Sequence, residues 1–551
     1  VRRGGACYTS PMPLQEDLQQ IMHGEVETDD AALTKASRDT SLFEIKPSCV
    51  VHPMNVHDVC ELVNYAGEHD DVSLTARSAG TDMTGGPLTE GIVVDMTTHF
   101  TRIGEVHGNS ITVEPGVYYR DFEKVVSAKN LELPSYPASK ELCTVGGMVN
   151  NNSGGEKTLQ YGKTEKYIQE LSVVLSDGNE YQLRPLSVSE LKTAMQEKTF
   201  LGQVYRDMYE LLEAKYDAIQ KAKPHVSKNS AGYALWNIWN KKTFDLTKLF
   251  AGSQGTLGIT TEIQFSLITP KKHSVMLVLF LKNLDPLAEL TNQLLKYQPE
   301  SLESYDDHTI GVALRLFPSF VKKLKTNAFS LALKFIPEAL MVLRGGLPKL
   351  IVMAEFTGDN DEEVLTRVLA AQSAVANLHV MSRIAKTQAE QDKYWTIRRE
   401  SFNLLRQHIK NKHTAPFIDD LIVEPKYLPE FLPKLSAILK KYKLDYTIAG
   451  HVGDGNFHII PLMDLHDKAQ RDIIPLAYKE VYDLVFSFHG SSTAEHNDGL
   501  IRSHLLPQMY GKGIYNLFEE TKQIFDPKNI FNPGKKVFSD WDYAQTKIAA
   551  Y

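Results

Sequence analysis

The sequence predicts an α+β fold in two or three domains. At 551 residues the chain is too long for one hydrophobic core and has ample apolar surface to bury. Near its start a short apolar run, residues 48–52, precedes Val56, Val59, Cys60, Val63 and Ala66 at helical spacing, which opens a layer of strand and helix. Further on, runs 274–281 and 350–356 read as strands, each followed by a helical pattern (285–297 and 361–375), an α+β layer repeated once.

Composition narrows the function classes. Sixty basic against 68 acidic residues give a net charge of −8, which argues against a nucleic-acid partner held through phosphates. Cys7, Cys49, Cys60 and Cys143 form no Cys-x-x-Cys, so these residues encode neither an iron-sulfur cluster nor a zinc ribbon, and a reducing compartment is the default. No apolar stretch of signal type follows Arg2 and Arg3, and the initial Val1 suggests a processed start. A cytoplasmic location is expected, at most peripheral to the inner membrane. The longest apolar run, Phe329 to Leu343, is interrupted by Lys334 and Glu338; it suits a core helix or an interfacial one, not a membrane span.

The first forty residues are polar, with a helix near Leu14 to His23 and no evident chemistry. A strand at Val72 to Ala76 runs into Arg77-Ser-Ala-Gly80-Thr81-Asp82-Met-Thr-Gly85-Gly86, whose amides can approach an anion such as a pyrophosphate; a plain glycine-rich turn is the alternative. Gly-x-Gly-x-x-Gly is absent, and a strand (Ile92 to Met96) follows rather than a helix, so this is not the dinucleotide fingerprint. Thr144 to Gly155 reads as a second loop, because Asn150, Asn151 and Asn152 among glycines disfavour helix and strand and suit the wrapping of a polar ligand. A hairpin at 171–183, a charged helical stretch from Ser187 to about Ala222, core aromatics Tyr233, Trp236 and Trp239, and a third glycine-rich turn leading to Ile259 complete this half.

Gly450 to His458 lies between two apolar segments. With Asp454-Gly455 at a tight turn, His451 faces His458 and the imidazoles leave one face about 5 Å apart at Cβ. Glu495 and His496 lie downstream. Two histidines and a carboxylate with an open position suit zinc or a similar divalent ion in catalysis; a polar cross-strand pair is the alternative.

Taken in order, ARSAGTDMTGG, TVGGMVNNNSGG, YGKTEKYIQELSVVLSDG, AGSQGTLGITTEI, GHVGDGNFH, AEHNDG and IFDPKNIFNPGK resemble the FAD-linked D-2-hydroxy-acid dehydrogenases. That group includes D-lactate and D-2-hydroxyglutarate dehydrogenases and the glycolate oxidase flavoprotein, within the vanillyl-alcohol oxidase superfamily. The resemblance spans about residues 45–536. It implies a two-part FAD-binding domain of the vanillyl-alcohol oxidase (PCMH) type with an inserted α+β cap domain and a C-terminal segment returning to the FAD domain. The implied boundaries are an extension at 1–42, the FAD domain at 43–268 with a helical insertion near 187–240, the cap at 269–490, the return at 491–540 and a tail at 541–551. It also implies FAD contacts from Arg77, Gly80, Thr81, Asp82 and Gly85, from Pro137, Thr144, Gly147, Asn151, Ser153 and Gly154, from Ile259 on the adenine-side strand and from Asn532 at the ring edge. No His or Cys stands between Arg77 and Thr81, where covalent relatives attach the flavin, so noncovalent FAD is expected.

Oxidation of a 2-hydroxy acid needs a carboxylate anchor, an electrophile and base at the hydroxyl, and a hydride acceptor. The resemblance makes Arg398 the anchor, with Arg399 the competing choice. It makes His451, His458 and Glu495 metal ligands, with zinc the leading ion, and His496 the general base. In an extended loop Glu495 and His496 point to opposite sides, one to metal and one to substrate. Three departures qualify the resemblance: Asn497-Asp498 replaces the commoner Gly-Ile, Gln254 stands where many relatives have Glu, and neither Ile460 nor residues 417–420 supply the Asn and Lys expected for a second carboxylate. The last favours a small substrate such as D-lactate. Electrons are expected to pass to a quinone, a cytochrome or an iron-sulfur protein. The alternatives are an oxidase using oxygen, a flavin subunit active only beside an iron-sulfur partner, although no cysteine follows Cys143 before Tyr551, and a metallohydrolase with the same ligands, which a colourless protein would favour.

Overall fold

The computed structural model describes residues 14–307, 309–311, 346–408 and 412–550, with 400–408 described by their helix alone. The apolar run Phe329 to Leu343 lies outside the described residues. Among the described residues no helix is long and apolar enough to cross a membrane.

Three main sheets organise the chain. The first has four strands in the order Glu25–Glu27, Cys49–His52, Ile92–Asp95, Leu74–Arg77. The last three run parallel, Ile92 sitting beside both Cys49 and Leu74, and such strands need a crossover, supplied by helix Val56–Glu68. Asn55 caps that helix, and Val59, Leu62, Val63 and Ala66 bury the face expected from their spacing. The second sheet is antiparallel, five strands in the order Ile103–His107, Ser110–Val113, Ile259–Ser266, Ile168–Val174, Glu180–Leu183.

The third sheet has eight strands and carries the second half of the molecule. Its strand His273–Leu281 shows why its sequence is apolar without alternation: Val275, Leu277, Leu279 and Leu281 face helices Leu287–Leu295, Asp361–Ala374 and Leu428–Lys441, while Met276, Val278 and Phe280 face Tyr394, Trp395 and Ile397 of helix Gln388–His408. With both faces covered, period-two alternation is lost from the sequence. Between Leu350–Gly358 and Tyr446–His451 lies Ser301–Asp306, a strand that sequence reasoning passed over because Ser, Glu and Asp are depleted in strands.

One expectation is corrected. Thr144–Asn152 is not a loop: residues Val145–Asn151 form a helix whose N-cap is Thr144, with Oγ1 accepting from Gly147 N at 3.3 Å and Asn152 ending it at φ +51°. Threonine and asparagine are poor helix interiors but good caps, so the composition that argued against a helix marks its ends. The segment at Leu42 to Glu44 pairs with the last described residues: Ala549 N donates to Leu42 O and Glu44 N to Lys547 O. The segment before that pairing clamps the first glycine loop, with Thr40 Oγ1 donating to Asp82 O at 2.7 Å, Arg77 to the carbonyls of Ala36 and Arg38, and Gly85 N to Asp39 Oδ2.

Candidate active site

A cavity of about 740 Å3 lies between the sheets. Arg77, Gly80, Thr81, Asp82, Pro137, Thr144, Gly147, Asn151, Ser153 and Gly154 line it, as do Arg398, His451, His458, Glu495 and His496. Gly85, Ile259 and Asn532 do not. Gly85 turns its amide to Asp39, Ile259 is in the core, and Asn532 ties loops together by donating from Nδ2 to Gly86 O and Gln254 O.

One wall is backbone. Among the described residues the N–H groups of Ala79 to Met83 have no acceptor, whereas Gly85 and Gly86 donate inward to Asp39 and Asp82. Gly80 holds φ +68°, and a Cβ there would lie 2.5 Å from Arg77 Nη2, so only glycine keeps this curve. Consecutive amides without partners, turned to a cavity, are an anion-binding concavity and fit the pyrophosphate of FAD. Asp82 also braces the loop from within, its Oδ2 accepting from Thr84 Oγ1 and Gly86 N.

The opposite wall is side chain. Tyr446–His451 and Asn456–Met463 form the expected hairpin, but Val452–Asp454 make a 3₁₀ turn and Gly455 takes φ +73°, so His451 opposes Asn456 and His458 opposes Ala449. The register is displaced by two from the expected one. An even displacement leaves side chains on their original face, and the imidazoles still meet, ring centroids 5.2 Å apart.

The loop carrying Glu495 and His496 is not extended. Asp420 Oδ2 accepts from Thr493 Oγ1 and from the amides of Ala494, Glu495 and His496, curling the chain around one carboxylate oxygen. Both side chains therefore reach the same cluster instead of opposite sides. Glu495 Oε1 is approached by three Nε2 atoms, those of His451 at 3.0 Å, His458 at 3.3 Å and His496 at 3.8 Å. Each ring's Nδ1 meets a buried carboxylate: His451 that of Glu303 at 2.5 Å, His458 that of Asp419 at 3.1 Å, and His496 the other oxygen of Asp419. A carboxylate only accepts, so each Nδ1 carries the proton and each Nε2 is turned to the cluster. Glu495 Oε2 is held by Lys228 Nζ at 3.3 Å, itself paired with Asp454. Gly154 permits this approach, since a Cβ there would stand 3.2 Å from Glu495 Oε2.

The electrostatics favour a cation. Burial alone would lower the imidazole pKa values, yet hydrogen bonds to Asp419 and Glu495 push His458 up to about 10, and the charges of Glu303 and Asp419 raise His451 and His496. Burial would raise the carboxyls, but His496 holds Asp419, and Lys228 with His451 hold Glu495, well below the usual range. Such a cluster draws protons inward, or a metal ion in their place. His451, His458 and Glu495 form a donor set of two nitrogens and an oxygen that fits zinc. Asp420, His458, Glu495 and His496 also bring ligand atoms within 4.8 Å of one another. That set fits less well, because Asp420 Oδ2 already accepts four hydrogen bonds and Oδ1 accepts from Asn456.

The adjacent arginines differ. Arg399 is bound to Glu156 across the cavity rim and stacks over Trp395 at 4.6 Å. Arg398 lies 3.2 Å from Glu303 through Nη2, while its buried Nε has no partner among the described residues. Glu303, Asp419, Asp420 and Lys228 are what sequence reasoning missed. The Asp419-Asp420 doublet before an apolar strand was a usable signal; Glu303 and Lys228 had none, being single charges in unremarkable stretches.

The sequence matches the FAD binding domain family over residues 47–184 and the family of FAD linked oxidases, C-terminal domain, over 270–536. It is 28% identical to the D-2-hydroxyglutarate dehydrogenase of Pseudomonas putida, over 93% of this chain and 50% of that protein. It is 26% identical to the glycolate oxidase subunit GlcD of Bacillus subtilis, over 96% of this chain and 97% of that protein. The chain thus spans about half the length of the first of these relatives. In fold it is similar to the 4-ethylphenol oxidase from Gulosibacter chungangensis in its isoeugenol complex, with a TM-score of 0.69, 16% identity, and coverage of 96% of this chain and 97% of that one. With both domains matched in order and the fold in agreement, the chain carries the FAD binding domain and the C-terminal domain of the FAD linked oxidases, and it is similar to D-2-hydroxy-acid dehydrogenases.

Proposed function

We propose that this protein oxidises a small D-2-hydroxy acid, D-lactate in the first instance, to the 2-oxo acid and passes the electrons to an acceptor other than oxygen: a quinone, a cytochrome or an iron-sulfur protein. The observation that carries this reading is the convergence of three Nε2 atoms and Glu495 on the cavity that the free amides of Ala79 to Met83 also face. FAD, held noncovalently by those amides and by the helix that Thr144 caps, would supply the hydride acceptor. A divalent ion, zinc first, held by His451, His458 and Glu495 would supply a Lewis acid for the substrate hydroxyl.

The chain's own residues do the rest. Arg398, which lines the cavity and has donors that Glu303 does not use, receives the substrate carboxylate. His496, at 22% exposure the most open of the three imidazoles, takes the hydroxyl proton at Nε2, and Asp419 on Nδ1 fixes the tautomer and stabilises the charge that develops. Selection for a small acid rests on Thr309, Thr447, Ala449 and Ile460, uncharged residues that line the same cavity as Arg398. Among the described residues the other lining cations are committed elsewhere, Arg399 to Glu156, Lys140 to Glu123 and Arg77 to main-chain carbonyls. The name of the Pseudomonas relative favours a second reading, D-2-hydroxyglutarate.

Anaerobic mixing with D-lactate, L-lactate and D-2-hydroxyglutarate tests the proposal. Flavin bleaching should be fastest with D-lactate and absent with its enantiomer. Faster bleaching by D-2-hydroxyglutarate moves the substrate to the second reading, and no bleaching by any 2-hydroxy acid removes the proposal.

A further inference from the structure

Strand Ser301–Asp306 is buried along all six residues, and Glu303, at its middle, is 1% exposed. An ionised side chain is costly there unless both oxygens are paired. Each oxygen has its own partner: Oε1 meets His451 Nδ1 at 2.5 Å and Oε2 meets Arg398 Nη2 at 3.2 Å. Both partners line the cavity: His451 turns its Nε2 to Glu495 at 3.0 Å, and Arg398 keeps a buried Nε that lacks a partner among the described residues. The pairing of Ser304 with Gly450 and Tyr305 with Ala449 holds this strand against the one that ends at His451, so carboxylate and imidazole keep their spacing.

We propose that Glu303 is a positioning residue that couples the two halves of the site, so that a carboxylate bound at Arg398 and a divalent cation bound at His451 strengthen each other. The inference rests on the functional reading above and adds to it a dependence between its two ligands. An incoming carboxylate shares the charge of the Arg398 fork and loosens its hold on Glu303. The freed carboxylate then weighs more on the Nδ1–H of His451, which makes Nε2 a stronger donor to a cation. Linkage requires the reverse effect to be equal: the cation must tighten carboxylate binding by the same factor.

The test uses the FAD-loaded full chain, with Zn2+ affinity measured by chelator competition in the presence and absence of propionate, a carboxylate without the 2-hydroxyl. In the wild type, propionate should tighten Zn2+ roughly fivefold or more. In Glu303→Gln, Zn2+ should bind roughly 10–100-fold more weakly and the propionate effect should fall close to one, with FAD content unchanged. Arg398→Lys, which leaves Glu303 and the cation ligands in place, should lose the propionate effect while keeping Zn2+ affinity within about threefold. A propionate effect that survives at full size in either variant overturns the coupling, as does a wild type that binds Zn2+ indifferently to propionate. A wild type that binds no Zn2+ at this cluster overturns the functional reading itself, and the coupling with it.

Discussion

The two walls of the cavity are made of different material. The glycine-loop wall offers main-chain amides held in place by φ values and by inward bonds to Asp39 and Asp82, whereas the histidine wall offers side chains held in place by Glu303, Asp419, Asp420 and Lys228. A backbone wall gives shape and anion affinity but no titratable group, and a side-chain wall gives protons, charge and ligand atoms but needs buried counter-charges to stay assembled. On the proposed reading binding belongs to the first and chemistry to the second, and substitutions should separate them.

The largest separation is expected at His496. His496→Ala should cut flavin bleaching by D-lactate roughly 10²–10⁴-fold while leaving bound FAD unchanged, as read by stopped-flow absorbance and flavin content; an unaltered rate would remove the base from this position. Next come the arginines. Arg398→Ala should weaken D-lactate binding roughly a hundredfold in a flavin-perturbation titration. Arg399→Ala should move that affinity by less than about threefold and lower the melting temperature instead, because its fork is already spent on Glu156. Equal losses from both would mean that the carboxylate lies across the pair.

On the backbone wall the effect should be smaller and of the opposite kind. Gly80→Ala places a Cβ against Arg77 at φ +68°, at a cost of about 1–2 kcal/mol, and should weaken FAD roughly tenfold while leaving Zn2+ affinity unchanged. A further contrast concerns pH. Burial and the neighbouring Asp82 push Asp39 up to about 7, above its unfolded value of about 3.9. A carboxyl whose pKa is raised on folding stabilises the fold in acid and loses that contribution as pH climbs from about 4 through about 7. Melting temperature should fall across that window, and Asp39→Asn should flatten the fall.

How far each wall could be read from the sequence follows from the same contrast. Glycine at positive φ and at close approach is a signature in itself, so the loop at Gly80 was legible; that Gly85 points inward was not, because its acceptor Asp39 lies in a polar N-terminal stretch without a pattern, and Gly86 turns to Asp82 of the loop itself. On the side-chain wall the meeting of His451, His458, Glu495 and His496 was legible, and an even register displacement kept the two hairpin imidazoles on one face although neither the turn nor the pairing was as expected. The supports were harder to find. Glu303 comes from a strand whose composition hides it, and Lys228 reaches Glu495 from 267 positions away, a distance no local spacing encodes. The helix at Val145–Asn151 shows the same limit from the other side: propensity described its residues correctly and missed that Thr144 and Asn152 were its caps.

The most direct test of the account is the dependence of anaerobic flavin bleaching by D-lactate on a divalent ion, measured on protein treated with chelator, shown to retain its FAD, and then resupplied with Zn2+. The account predicts a flavin that stays oxidised after chelation, with bleaching slowed roughly a hundredfold or more and restored by Zn2+. Bleaching at the full rate from protein freed of metal would contradict it.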